Sequence, residues 1–346
     1  MRGIVFLGNR KLELREFPDP SPGPGEVVLA IKASGMCGSD FHAYRATGNA
    51  AAGLGLGGGG TPVIAGHEPC GVVHAVGAGV DPALVGRRVM NHHYKGCGHC
   101  THCRGGWSQL CRGGITVYGV TGHGGHAPYM KAPAFTCVPL PDALTFEEGA
   151  AVSCGTGTAY GALRRLDVSG RDTLAVYGQG PVGLSATLLG RAMGARVIAV
   201  DTSPERLALA RELGAEHVID PRQGDPVKAI HDLTGGQGAE TTMDCTGHPQ
   251  ARVHTVRSAG TWGRVAFVGE GNTVTLDVSK DLLRRQITLH ASWTFSNTIQ
   301  EECARFVASR KIPLGTLITH RWRQEQAEEA YKLFDTQTTG KGVFIF

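Results

Sequence analysis

The chain has 346 residues, of which 41% are hydrophobic and 18% charged, and its formal net charge is +4. That length allows two domains and a large buried core, and that composition excludes a disordered chain or a solvated coiled coil. No long run of like charges marks a nucleic-acid or membrane-surface patch, and no apolar stretch reaches the roughly 18 residues of a membrane span.

The opening Met1–Phe6 reads as a short strand without a secretory hydrophobic region, so a cytoplasmic location is the expectation. Up to about residue 155, short β-like runs are separated by Gly and Pro turns: Ile4–Phe6, Leu12–Arg15, Glu26–Ala33, Val72–Val76, Arg88–Met90 and Ala134–Pro139. This texture predicts an irregular all-β domain. Residues 45–62 are rich in Ala and Gly and read as a surface loop. Beyond them, strand and helix alternate. Thr173–Tyr177 and Arg196–Asp201 read as strands around a helix at Pro181–Met193. Ser203 is placed to cap the next helix, with Pro204 opening it and Gly214 stopping it. Strands at His217–Ile219, Glu240–Cys245, Gly263–Val268 and Ile287–Ala291 extend the alternation, which predicts an α/β doubly wound parallel sheet. A helix near Thr298–Ser309 and a strand at Gly342–Phe346 close the chain.

Gly178-Gln179-Gly180-Pro181-Val182-Gly183 is a G-x-G-x-x-G turn between a predicted strand and a predicted helix. Gly178 permits the tight turn, Gly180 lets a pyrophosphate approach the backbone, and Gly183 lets helix and strand pack closely. The helix N-terminus offers unpaired N–H groups to the phosphates. Asp201 ends the next strand. A carboxylate there accepts hydrogen bonds from ribose hydroxyls and repels a 2′-phosphate, which favours NAD over NADP. Arg206 is the counterweight: it could reach a phosphate, stack on adenine or pair with a helix acid.

The chain has ten cysteines, and their clustering suits metal ligation better than a disulfide scaffold. Cys97, Cys100, Cys103 and Cys111 follow C-x2-C-x2-C-x7-C, a pattern that closes a four-thiolate shell as in structural zinc sites. An iron–sulfur cluster is the alternative, but the fourth spacing and the lack of a following Cys-Pro weigh against it. His99 and His102, inside this loop, are surplus to that shell. A second, open metal site is suggested by Cys37-Gly38-Ser39-Asp40-Phe41-His42, Gly66-His67-Glu68 and Cys154. Singly, Cys37 or His67 would be an ordinary core residue.

Taken together, these motifs make the sequence resemble the zinc-dependent medium-chain alcohol/polyol dehydrogenases of the medium-chain dehydrogenase/reductase superfamily. They occur in the family's order and spacing over nearly the whole chain. The resemblance implies a GroES-like irregular β-barrel catalytic domain at 1–155 and 295–346, with a zinc lobe at about 93–113, and a Rossmann NAD-binding domain at 156–294. It implies NAD and two zinc ions per chain. Cys37, His67 and Cys154 would bind the catalytic zinc, leaving one position for water or substrate. Glu68 would be able to exchange onto the metal, and Asp40 would orient the His67 imidazole. Ser39 would take the substrate hydroxyl proton, and His42 would pass it to solvent by way of the cofactor ribose. Thr158 would lie behind the nicotinamide, Val268 and Gly269 would meet its carboxamide, and Thr246 would neighbour the adenosine end. The implied reaction is hydride transfer between an alcohol and NAD, with zinc supplying Lewis acidity. A homo-oligomer, dimer or tetramer, is the family-based expectation.

For the substrate, Gly38 resembles the polyol, sugar and threonine dehydrogenase branches, because many primary-alcohol members carry Arg or His after the first zinc cysteine. Cys154 as third ligand resembles the alcohol branch instead. A small-molecule secondary alcohol or polyol is the expectation, with L-threonine 3-dehydrogenase-like or primary alcohol activity as alternatives. Tyr44, His92, His93, Tyr118 and Trp293 are candidate pocket residues. A zinc-free reductase of the same superfamily conflicts with the three separated ligands. A non-catalytic nucleotide-binding protein conflicts with those ligands and with the Ser39/His42 relay.

Overall fold

A computed structural model describes residues 1–47 and 62–346. The Ala/Gly-rich segment read as a surface loop falls almost wholly outside them. The chain divides into two compact units, one of Met1–Gly157, Ser296–Thr336 and Lys341–Phe346, the other of Thr158–Phe295 and Gln337–Gly340. Residues 337–340 were expected in the first domain. They join the second, where Arg206 Nε donates to Thr339 O at 3.2 Å.

The centre of the first unit is the strand Glu26–Gly35. It pairs antiparallel with Glu68–Val76, Tyr129–Pro133 and Lys341–Ile345 within a seven-stranded sheet. Val27, Leu29 and Ile31 alternate along it and pack with Val73, Val89 and Met130. A second core gathers Phe6, Phe41, Tyr44, Tyr331, Phe334 and Phe344. Ala134–Pro139 is not one strand: Ala134–Thr136 is a 3-10 turn and only Cys137–Pro139 is extended. The longer strand precedes it at Tyr129–Pro133, with Met130 and Ala132 inward and Lys131 outward; a glycine-rich entry and the terminal Pro133 blur its pattern. Among the helices that the sequence reading did not name are Phe146–Val152 and Ala327–Asp335. The first carries a capping box. Thr145 Oγ1 accepts from Glu148 N at 3.2 Å, and Glu148 Oε2 accepts from Thr145 N at 2.8 Å.

The second unit is built on six parallel strands in the order His217–Ile219, Arg196–Val200, Thr173–Tyr177, Ala239–Asp244, Ala259–Phe267, Thr288–Ala291. In chain sequence this is 3-2-1-4-5-6, the doubly wound order. Tyr177 is level with Val200 and Asp244, and Asp244 with Phe267. The loops after these four strands therefore leave one edge of the sheet together. Between the strands, Ser203 caps the helix Pro204–Glu212 by accepting from Arg206 N at 3.2 Å.

Candidate metal centres and dinucleotide loop

Cys37 lies just beyond the central strand Glu26–Gly35, and His67 and Glu68 lie at the start of its antiparallel neighbour. Cys154 follows the helix Phe146–Val152. Strand pairing thus gathers residues far apart in sequence, and the ligand atoms of Cys37, His67, Glu68 and Cys154 all lie within 4.8 Å of one another. All four are buried. Two sulfurs at ~2.3 Å from a tetrahedral zinc stand roughly 3.8 Å apart; Cys37 Sγ and Cys154 Sγ are 3.9 Å apart. Two sulfurs and an imidazole nitrogen at this spacing fit a catalytic zinc with one position left open.

The groups around these ligands set their charge. Asp40 Oδ1 stands 3.0 Å from His67 Nδ1, which leaves Nε2 toward the cluster. Burial disfavours a charged His67, but the Asp40 carboxylate and the Cys37 sulfur outweigh it and lift its pKa well above the usual value. Cys37 and Cys154 act as a pair. The Cys154 thiol holds Cys37 well below the usual thiol range, against burial and with help from His67, and is itself pushed well above that range. Ser39 Oγ is 3.2 Å from His67 Nε2. His42 is exposed on the helix Asp40–Arg45, and among the described contacts its side chain shares no hydrogen bond with Ser39. Glu68 is fully buried, and burial pushes its carboxyl up to about 8 against the pull of the Lys341 ammonium. Lys341, also buried, forms an ion pair with Glu68 Oε2. Among the described residues these side-chain atoms have no other hydrogen-bond partner.

Lys341 was missing from the sequence reading, which began the last strand at Gly342; it is the strand's first residue. A side chain at Gly35 would collide with the Glu68 carboxylate and crowd Lys341, so a glycine makes the room for the pair. Among the candidate pocket residues, His93 comes nearest: its ring centroid is 5.3 Å from that of His67, and its Nδ1 donates to Ser153 O at 3.0 Å. Burial, with His67 beside it, holds His93 well below its usual pKa, so it is neutral. His92 is buried next to it. Tyr44 and Tyr118 instead pack in the two hydrophobic cores, and Trp293 belongs to the second unit and is partly exposed.

Cys97, Cys100, Cys103 and Cys111 form the second cluster. Cys97 Sγ is 4.0 Å from Cys103 Sγ, and Cys100 Sγ is 3.9 Å from Cys111 Sγ, again the separations of a tetrahedral shell. Backbone amides aim at the sulfurs: Cys97 N donates to Cys111 Sγ at 3.2 Å and Cys100 N to Cys97 Sγ at 3.3 Å. Amides of Cys103 and Arg112 bring the Cys100 thiol down to about 6, while burial pushes Cys103 up to about 12. His99 is exposed and His102 half-buried, and neither enters the cluster.

In the second unit the glycine turn has the expected shape. Gly178 sits at φ +87°, and a Cβ at Gly183 would collide with the carbonyl of Gly178. A Cβ at Gly180 would meet nothing within 4 Å, so the second glycine leaves open space before the helix Pro181–Ala192. That space, backed by the N–H groups of Val182 and Gly183, fits a pyrophosphate. Asp201 is held facing the turn. Its Oδ2 accepts from Gln179 N at 2.5 Å and its Oδ1 from Ser203 N at 2.8 Å. Arg206 is buried and bonded to Thr339 O, which speaks for a packing role over a phosphate contact. Thr246 Oγ1 donates to Asp244 Oδ1 at 2.6 Å, and its methyl group faces Gly178. Val268 N and Gly269 N both donate to Asp244 O at 3.0 Å, and Gly269 O accepts from Arg252 Nη2 at 2.6 Å, so both amides and the Gly269 carbonyl are already engaged. Thr158 is buried on the helix Gly155–Arg165.

Two family models match the chain: the alcohol dehydrogenase GroES-like domain over residues 23–142 and the zinc-binding dehydrogenase domain over residues 181–309. The uncharacterized zinc-type alcohol dehydrogenase-like protein YphC of Escherichia coli K12 is 42% identical over 100% of this chain and 99% of its own. An L-threonine 3-dehydrogenase of Pyrococcus horikoshii is 31% identical, covering 96% of this chain and 94% of its own. A sorbitol dehydrogenase of Bacillus subtilis is 30% identical, covering 95% and 92%. Among solved structures, the alcohol dehydrogenase of Thermus sp. ATN1 superposes with a TM-score of 0.90 at 27% identity, covering 100% and 99%. An alcohol dehydrogenase of E. coli CFT073, solved with NADH, superposes at 0.88 and 27% over the same shares. The chain belongs to the zinc-dependent alcohol dehydrogenase family of the medium-chain superfamily. It is an oxidoreductase whose cofactors are zinc and a nicotinamide dinucleotide.

Proposed function

We propose that this protein interconverts a small secondary alcohol or polyol and its ketone, with NAD as hydride acceptor. The observation that carries this reading is the convergence of Cys37, His67 and Cys154, with the Ser39 hydroxyl 3.2 Å from His67 Nε2. Zinc held by those three residues supplies Lewis acidity that makes a substrate hydroxyl acidic, and NAD supplies the hydride acceptor. Ser39 receives the hydroxyl proton, and the exposed His42, on the helix that Ser39 opens, hands it toward solvent. Asp40 holds His67 with Nε2 toward the metal. Cys97, Cys100, Cys103 and Cys111 hold a structural zinc. Asp201 selects NAD through the ribose hydroxyls. Relatives named for carbon 3 of L-threonine and for sorbitol support a secondary hydroxyl.

A homo-oligomer is part of the reading. Thr288–Ala291 ends the order of its sheet, and Leu289, Leu283 and Val278 of the same unit are exposed. No helix among the described residues is long and apolar enough to cross a membrane, and the cytoplasm is the setting this reading takes.

The test is reduced-nicotinamide absorbance over secondary alcohols, polyols, primary alcohols and L-threonine, with NAD and then NADP. The reading expects turnover with NAD on secondary alcohols or polyols, lost on chelation and restored by zinc. Turnover that survives complete zinc removal, or that is confined to primary alcohols, contradicts it.

A further inference from the structure

Behind His67 a buried hydrogen-bonded chain continues away from the metal cluster. Asp40 Oδ1 meets His67 Nδ1 at 3.0 Å, while its Oδ2 accepts from Cys37 N at 2.9 Å and from Tyr331 Oη at 3.2 Å. Tyr331 Oη is 2.8 Å from His126 Nε2, and His126 Nδ1 is 2.8 Å from Ser34 Oγ. Ser34, His126, Tyr331, Asp40 and His67 are all buried.

The direction of every bond follows from the chemistry of its ends. A carboxylate only accepts, so the Tyr331 proton points to Asp40. Tyr331 Oη must then accept from His126 Nε2–H. A neutral imidazole carries one proton, so its Nδ1 accepts from the Ser34 hydroxyl. Burial, which pushes His126 down to about 4, keeps the ring neutral. Every donor therefore runs toward Asp40.

The helix that begins at Asp40 has only six residues, and Ser39, its N-cap, makes no side-chain cap bond. Tyr331 comes from the helix Ala327–Asp335, 291 residues along the chain from Asp40. Its ring is clamped edge-on to Phe6 at 4.8 Å and lies 5.4 Å from that of Tyr44. His126 is clamped through its backbone. Its carbonyl accepts from Ile4 N and from Gln324 Nε2, each at 3.1 Å, and its amide donates to Ala65 O at 2.9 Å. Gly66, immediately before His67, has φ +89°, and a Cβ there would collide with the His126 ring.

We propose that Tyr331, backed by His126 and Ser34, is a positioning residue for the catalytic zinc. It pins the Asp40 carboxylate so that His67 keeps its proton on Nδ1 and presents Nε2 to the metal. This rests on the reading that Cys37, His67 and Cys154 hold that zinc. Partners placed directly behind a ligating histidine are typically worth about 10- to 100-fold in metal affinity. One step further out, the expected effect of Tyr331 is about 3- to 10-fold.

The experiment measures zinc release from the holoenzyme to excess chelator for wild type, Tyr331→Phe, Asp40→Asn and the double variant. Phenylalanine keeps the ring contacts and removes only the hydroxyl. Tyr331→Phe is expected to speed release of the catalytic zinc about 3- to 10-fold and to leave the lobe zinc unchanged. In the Asp40→Asn background it is expected to add less than about twofold, because the route through Asp40 is already cut. Ser34→Ala, at the far end of the chain, moves release in the same direction by a smaller factor. Unchanged release in Tyr331→Phe, or equal effects in both backgrounds, overturns the proposal while leaving the zinc reading intact. A Cys37→Ala protein that still holds both zinc ions overturns the zinc reading itself, and the proposal with it.

Discussion

The lobe of Cys97–Cys111 and the cluster of Cys37, His67 and Cys154 hold sulfurs at nearly equal separations, 3.9–4.0 Å and 3.9 Å, by different means. In the lobe the four sulfurs come from one short loop, and backbone amides favour the thiolates of Cys100 and Cys111. Four thiolates also complete a shell, so no coordination position remains for chemistry. The other cluster is assembled from strands and a helix far apart in sequence. Its charges are set by side chains: Asp40 on His67, the paired thiols, and Lys341 on Glu68. A shell tuned by backbone is stable and inert. A shell tuned by buried side chains leaves a position open, and each charge in it depends on a partner that one substitution can remove.

That contrast can be broken at several points. Cys37→Ala should cost about three orders of magnitude or more in turnover, because metal Lewis acidity is worth several kcal/mol of transition-state stabilisation. Cofactor binding, followed by NADH fluorescence, should stay near wild type, since the glycine turn belongs to the other unit. Cys100→Ser should do the reverse. It should lower the melting temperature on the order of 10 °C, seen by calorimetry, while the protein that remains folded keeps most of its turnover. An equal loss of turnover in both variants would erase the distinction between the sites.

Lys341→Met sharpens the comparison. It leaves Glu68 as a buried, protonated carboxyl without its partner, at about 1–3 kcal/mol in denaturant unfolding. Adding Glu68→Leu should recover much of that loss, because the unsatisfied polar group is then gone. The smallest effect concerns pH. In the metal-free enzyme Cys154 and His67 both hold their protons more tightly than usual. Both protons must leave when zinc binds, so the affinity of this site should rise with pH and fall as pH drops. Proton release on zinc titration in weak buffer measures it, and a pH-independent affinity would contradict the assignment.

What the sequence made legible is what lies contiguous in it. The lobe spacing, the glycine turn with Asp201 and the alternation of the second unit are local patterns, and the doubly wound parallel class follows from the last of them. Cys37, His67 and Cys154 were legible only as a combination, through resemblance. Lys341, Tyr331 and His126 left no signal. Each reaches the metal cluster or its surroundings through strand pairing or helix docking across the first unit, and nothing in its immediate neighbours distinguishes it from an ordinary core or strand residue. Arg206, read as able to reach a phosphate, stack on adenine or pair with a helix acid, donates to Thr339 O, a contact that no local pattern announces.

The measurement that bears most directly on this account is zinc per chain by elemental analysis, on wild type and on Cys37→Ala. The account predicts two zinc ions in the wild type and one in the variant, with the remaining ion held by the lobe. Equal zinc content in the two proteins would contradict it.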